Sequence, residues 1–336
     1  MERRVLAAGS VTRGLLGLAV GAGLCYCAYR VLASKEKKKK KKHVTGGRLQ
    51  EKVSNMTVVQ RVQSGGTVQI ENIPTSASNL EPHHLKALLE MLDSNTNDSS
   101  VQEQALVTLC NSAAFSTNHD IIRNFNGIKI IGRFLLHPSP KIKTKALNAL
   151  NNLSMNLQNQ EQIKDFLYDV CNDIKSSSLN SEVQLAGLRL AINMSVTNNY
   201  HDYLEDYIPC FFTLLVDGEE ATKVHTLKVL VNLSANPSMT LVLLSSKAPS
   251  SLTNLFGSNT NREILIRALT FAANLSENLD RQQHSNGQRH YEDYSLYAFL
   301  FRDKTMFQRN LVALLQHPDK DIKEHVARLV CPQKLN

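Results

Sequence analysis

The sequence predicts an all-α solenoid of about six stacked repeats, and three observations carry that prediction. A short phrase returns five times: Leu109-Cys-Asn111-Ser-Ala, Leu150-Asn-Asn152-Leu-Ser, Ala191-Ile-Asn193-Met-Ser, Leu230-Val-Asn232-Leu-Ser and Ala272-Ala-Asn274-Leu-Ser. Its asparagines stand 41, 41, 39 and 42 residues apart, a period at which each unit buries its apolar face only against its neighbours. The chain is also 42% apolar with no Trp and few aromatics, a composition suited to aliphatic helix packing.

Each unit closes on a helix that opens with an apolar residue ten positions before the asparagine: Val101, Ile142, Val183 and Ile264, with Thr222 in the fourth unit. In the second unit Ile142, Ala146, Leu147, Leu150 and Leu153 recur at helical spacing. With Ile142 at 0° and about 100° per residue, that set falls within about 0° to 140°, Asn148 at about 240° and Asn152 at about 280°. The wheel therefore predicts that Asn152 is displayed on the side that does not pack. Another apolar helix and a polar turn precede each such helix, as in Ile128–Leu136 then His-Pro-Ser-Pro140, and Ile208–Val216 then Asp-Gly-Glu-Glu220. A last unit runs through Leu311–Leu315 and Ile322–Val330, with Pro332 at the asparagine position, as suits the end of a stack. The surplus of about 16 residues before it falls in the polar stretch 280–295, an expected inserted loop. Its Tyr291, Tyr294 and Tyr297 would form a contact patch or simply lead into a core helix. The repeat region is expected over 79–336, opened by a helix with Asn79 as cap and Pro82 in its first turn.

Charge is divided unevenly. Residues 1–43 hold four Arg and seven Lys against two Glu, so they carry all of the net +8 and leave the remainder at −1. A solenoid binding nucleic acid would carry basic charge along its groove, so that class is excluded. The segment Val5–Ala33 is apolar apart from Arg13 and Arg30, long enough to span a bilayer if Arg13 snorkels. Arg30, Lys35, Lys37, Lys38, Lys39, Lys40, Lys41 and Lys42 follow the apolar run. That flank resists translocation, which disfavours a cleaved secretory signal and favours a signal-anchor with the main domain in the cytosol. The segment is too uniformly apolar for a matrix presequence. A short, basic-flanked anchor suits the mitochondrial outer membrane, with the endoplasmic reticulum as rival. Gly17 and Gly21 would allow two anchors to pack closely, or merely moderate hydrophobicity; Cys25 and Cys27 are placed for S-acylation. Residues 44–78, with paired glycines and the alternating piece Thr67-Val-Gln-Ile-Glu71 that finds no partner strand nearby, read as a flexible tether.

Cys110, Cys171, Cys210 and Cys331 are scattered without metal-ligand spacing and read as reduced thiols. No catalytic motif, phosphate loop or metal-spaced histidine cluster is present, so neither an enzyme, a cofactor, a metal site nor a small-molecule substrate is expected. The Asn-Leu-Ser and Asn-Met-Ser tripeptides are formal glycosylation sequons, but they lie inside packed helices of a domain placed in the cytosol.

A long closing helix ending in Ala-Leu-x-Asn-Leu-Ser at a period near 41 resembles the armadillo repeat, over about residues 83–332. With the N-terminal segment carrying Cys-Tyr-Cys27 and the run Ala-Leu-Asn-Ala-Leu-Asn-Asn-Leu-Ser154, the chain is similar to the X-linked armadillo proteins. The resemblance implies a right-handed superhelix, a membrane-anchored adaptor, and roles in mitochondrial distribution through the Miro and kinesin-adaptor machinery and in growth or survival. A soluble or nuclear co-regulator using the same groove is the alternative. In armadillo importins the repeated asparagine lines the concave groove and bonds the backbone of an extended peptide, which marks Asn111, Asn152, Asn193, Asn232 and Asn274. The importin tryptophans four residues earlier are here Val107, Asn148, Arg189, Lys228 and Thr270, so import cargo is not expected and an acidic or polar segment is. The same asparagines would equally serve to hold neighbouring repeats together.

Overall fold

A computed structural model describes residues 56–58, 71–73, 80–94, 98–283, 290–302 and 305–330. The repeat region is all-helical, and its long closing helices lie side by side. These are α2 (Ser99–Ser112), α5 (Pro140–Leu153), α8 (Glu182–Met194), α10 (Glu220–Ala235), α12 (Arg262–Gln283) and α15 (Lys320–Val330). Shorter helices fill the layer around them: α1 (Pro82–Asp93), α3 (His119–Asn124), α4 (Gly127–Arg133), α6 (Leu157–Ile163), α7 (Leu167–Ser176), α9 (Ile208–Asp217), α11 (Thr240–Ser245), α13 (Leu296–Leu300) and α14 (Met306–Leu314).

Helix α5 shows why these segments fold as they do. Pro140 sits in its first turn, where the missing N–H is no loss. Ile142, Ala146, Leu147, Ala149, Leu150 and Leu153 are all buried, each large aliphatic contributing roughly 1.5–3 kcal/mol. The helix stops at Ser154, whose N–H still reaches Leu150 O at 2.8 Å. Elsewhere the sequence supplies caps: Asp98 accepts from the N–H groups of Ser100 (2.9 Å) and Val101 (3.3 Å), and Ser181 from Gln184. The core is continuous from Leu80 to Val326 because every repeat lends one face to the next.

Three local expectations are corrected. The first helix is capped by Glu81, not Asn79: the Glu81 side chain accepts from the His84 N–H while His84 Nδ1 accepts from the Glu81 N–H, a reciprocal capping box. Asn79 itself lies outside the described residues. Within the stretch read as a tether, β1 (Met56–Val58) pairs antiparallel with β2 (Glu71–Ile73), Met56 facing Ile73; the alternating piece does find a partner strand, but one too far back in sequence for a local pattern to reveal. The insert is also shorter than expected, because α12 continues nine residues past Asn274 to Gln283.

Beyond the insert the chain bonds back onto 246–248, with Ala248 N donating to Tyr294 O and Leu296 N to Ser246 O. Tyr291 and Tyr297 stack at 4.1 Å against the core, whereas Tyr294 is exposed with the Lys247 ammonium above it. These tyrosines therefore close a repeat more than they form a patch.

Candidate functional site

The asparagines are half-buried, and each sends its amide hydrogens into the preceding repeat. Asn152 Nδ2 donates to Cys110 O at 2.9 Å. Asn193 Nδ2 donates to Asn151 O at 3.1 Å and to Ser154 Oγ at 3.0 Å, with Asn151 Oδ1 also at 3.1 Å. Asn232 Nδ2 reaches Ile192 O at 3.3 Å and Ser195 Oγ at 3.0 Å; Asn274 Nδ2 reaches Val231 O at 3.5 Å and Ser234 Oγ at 3.1 Å. Each accepting carbonyl belongs to the residue just before the previous asparagine, and each accepting hydroxyl to the serine of the previous phrase. That serine in turn donates to the same carbonyl, Ser154 to Asn151 O (2.7 Å), Ser195 to Ile192 O (3.0 Å) and Ser234 to Val231 O (2.9 Å). The motif is thus a self-repeating clasp.

This corrects the expectation that Asn152 faces away from packing. The wheel position near 280° points at the neighbouring closing helix, and two amide hydrogens are all that an asparagine has to give. Asn111 opens the series and is exposed; the helix before it is α1, which carries no such phrase.

A second set of polar residues caps the closing helices. Asn118 Nδ2 donates to Ser112 O, Asn159 Nδ2 to Leu153 O and Gln160 Nε2 to Ser154 O, while His201 Nε2 lies 2.9 Å from Ser195 O. These sites recur seven or eight residues after the asparagine, a signal present in the sequence but masked by its changing residue types.

Beside the clasp runs a polar face. Four residues before the asparagines stand Val107, Asn148, Arg189, Lys228 and Thr270, all half-buried. Arg189 Nη2 donates to Asn148 Oδ1 at 3.1 Å, linking α8 to α5. Cys110 lies close enough to Lys145 and Arg189 to feel both: burial pushes its thiol up, and the two cations partly offset that. His225, one turn before Lys228, is held below the usual imidazole range by burial and, further, by Lys228 and Arg189. At the C-terminal side Arg267 closes on Glu263 at 2.8 Å. The structure thus brings Asn148, Asn152, Arg189, Asn193, Lys228, Asn232 and Asn274 onto one continuous face. Clefts of about 340 Å³ beside Leu215 and Ile264 and about 510 Å³ beside Phe125 and Ile130 lie elsewhere.

Gly17, Gly21, Arg30, Lys35 and Lys37 to Lys42 lie outside the described residues, as do Cys25, Cys27 and Cys331. Cys110, Cys171 and Cys210 are free thiols, and burial pushes Cys171 up to about 12. Among the described residues no group of three or more His, Cys, Asp or Glu is placed to hold a metal, and no single helix is long and apolar enough to cross a membrane.

Stacked helical repeats with a continuous polar face define a protein-binding scaffold of the α-solenoid class. A family model described as Armadillo-like matches residues 80–301, and the chain belongs to that family. Among solved structures, an engineered protein is similar at 17% identity and TM-score 0.57, over 73% of this chain and 94% of its own. A designed armadillo repeat protein matches at 16% identity and TM-score 0.57, over 73% and 97%. Another, in complex with a (KR)4 peptide, matches at 15% identity and TM-score 0.59, over 73% and 98%.

Proposed function

We propose that the chain is an anchored docking adaptor, akin to the X-linked armadillo proteins, in which residues 1–43 fix location, 44–78 give reach and the polar face of the closing helices captures partner proteins. The observation that carries this reading is the unbroken run of half-buried amides and cations from Asn148 to Asn274, groups that bind without chemistry of their own. The apolar run and basic flank before residue 43 support an anchor facing the cytosol at the mitochondrial outer membrane, or at the reticulum. Holding the scaffold at a membrane raises its effective concentration toward partners already there, so individually weak contacts suffice. Partners of the Miro and kinesin-adaptor kind, and a part in mitochondrial distribution and cell growth or survival, belong to the same proposal.

Protease protection of the full chain with a C-terminal tag, beside a version lacking residues 1–43, tests the anchor. The expected outcome is a carbonate-resistant mitochondrial protein whose tag is digested without permeabilisation, and a soluble truncation. A full chain that is extractable or nuclear favours the co-regulator instead.

A further inference from the structure

We infer that the face between Lys145 and Lys228 docks an extended acidic protein segment whose carboxylates recur at every third residue. The inference rests on the adaptor reading and specifies its partner.

Unmatched positive charge is the first observation. Along most of the repeats cations find carboxylates: Arg123 with Asp120, Lys143 with Asp173, Arg262 with Asp319 and Arg328 with Glu277. Lys145 and Arg189 are half-buried yet have no carboxylate within ion-pair distance among the described residues. The contrast is sharp on α5, where Lys143 reaches Asp173 at 2.5 Å and Lys145, two residues on, reaches none. A partly desolvated cation attracts an incoming carboxylate more strongly than one in open water. Asn148 Oδ1 takes one guanidinium hydrogen of Arg189, which steadies the fork and leaves its other donors for a bidentate carboxylate. The acidic residues on this side, Glu182 and Glu263, stand at the N-terminal ends of α8 and α12, one turn or more from the cations.

Backbone chemistry is the second observation. Because the clasp consumes the amide hydrogens, Asn193, Asn232 and Asn274 offer only their Oδ1 atoms, which accept no hydrogen bond among the described residues. The face therefore presents acceptors once per repeat, suited to the N–H groups of a passing chain, alongside cations suited to its acids.

Spacing follows from elementary geometry. Packed helices stand roughly 8–10 Å apart, and a polyproline-type chain climbs about 9 Å in one three-residue turn. Every third side chain thus returns to the same face as the next repeat arrives, so Arg189 and Lys228 read acids three residues apart. A basic segment would meet repulsion here.

The test is fluorescence anisotropy with the full chain in detergent micelles and a labelled (Glu-Pro-Ala)4 peptide. Controls are (Lys-Pro-Ala)4 and an isomer with its four glutamates clustered at one end. The tract Lys37–Lys42 is replaced by serine in a parallel full-length sample, so that binding to that tract is separated from binding to the repeats. Expected are binding that survives loss of the tract, affinity about tenfold above both controls, and a loss of about tenfold on Arg189→Ala or Lys145→Ala. Arg189→Lys, which keeps charge and removes the fork, should fall between; thermal melts confirm that each variant remains folded. Equal affinity for the clustered isomer, indifference to both alanine variants, or disappearance of binding with the lysine tract would each overturn the inference. Membrane recruitment measured on the same samples isolates the failure: recruitment without peptide binding removes the partner class and leaves the anchor.

Discussion

Asn193 donates to Ser154 Oγ across 3.0 Å from the following repeat, while Ser154 donates to its own Asn151 carbonyl at 2.7 Å. The two residues recur in the sequence because each supplies what the other's neighbour lacks. Asparagine provides two hydrogens pointing backward along the stack, and serine provides an acceptor that also quiets a helix-terminal carbonyl.

Replacing Asn193 tests this directly. Asn193→Ala leaves a half-buried carbonyl and hydroxyl without their donor and should lower unfolding free energy by about 1–3 kcal/mol. Asn193→Asp should cost at least as much, since it sets acceptors against acceptors. Urea midpoints of the two variants decide: values indistinguishable from the parent would assign Asn193 to partner binding alone.

Acid should loosen the stack through His201. Its Nε2–H donates to Ser195 O at 2.9 Å, and Nδ1 accepts from Asn236 Nδ2 at 3.1 Å, so the ring is held neutral. Burial lowers its pKa, as it does for His225 and His325. The unfolded chain takes up protons first, near a pKa of about 6.5. Stability is therefore complete above that value and is lost as pH falls below it, toward the folded-state pKa. Urea midpoints between pH 7.5 and 5 should decline, and His201→Gln should flatten the slope. A parent protein with a level profile across that window would contradict the assignment.

Lys143 and Asp173 form the most enclosed ion pair, their side chains 23% and 10% exposed and 2.5 Å apart. Removing the cation strands a carboxylate whose other oxygen, Oδ2, is already buried without a hydrogen-bond partner. Lys143→Met should cost about 1–3 kcal/mol, and the pair Lys143→Met with Asp173→Leu should recover much of that loss. A double-mutant cycle in urea measures the coupling; additive losses would mean the pair is solvated.

Gly132 tests the fit between repeats. A Cβ there would press into the Phe166 ring, which belongs to the following unit. Gly132→Ala should destabilise by about 1–3 kcal/mol through overpacking, and Gly132→Ala with Phe166→Leu should regain part of it. A fully stable single variant would show that the ring moves aside freely.

Much of this was readable beforehand. Ile142, Ala146, Leu147, Leu150 and Leu153 mark one helix face by spacing alone, and all five are buried. The 41-residue recurrence likewise places the closing helices, since a face too apolar for water must meet its copy in the next unit. Caps and the β1–β2 pair were less legible: Glu81 is an uncommon cap, and Met56 and Ile73 are joined only through space.

By itself the sequence determined the class of fold, the period and the side of each helix on which Asn152, Asn193, Asn232 and Asn274 stand. Only the tertiary structure decided what lies opposite them. A helical wheel gives the direction of a side chain but not its neighbour, and an amide can serve a partner's backbone or its own stack with equal chemistry. Once adjacent helices bring Ser154, Ser195 and Ser234 within reach, the hydrogens turn inward. The oxygens and the unmatched cations Lys145 and Arg189 are what the face keeps for others.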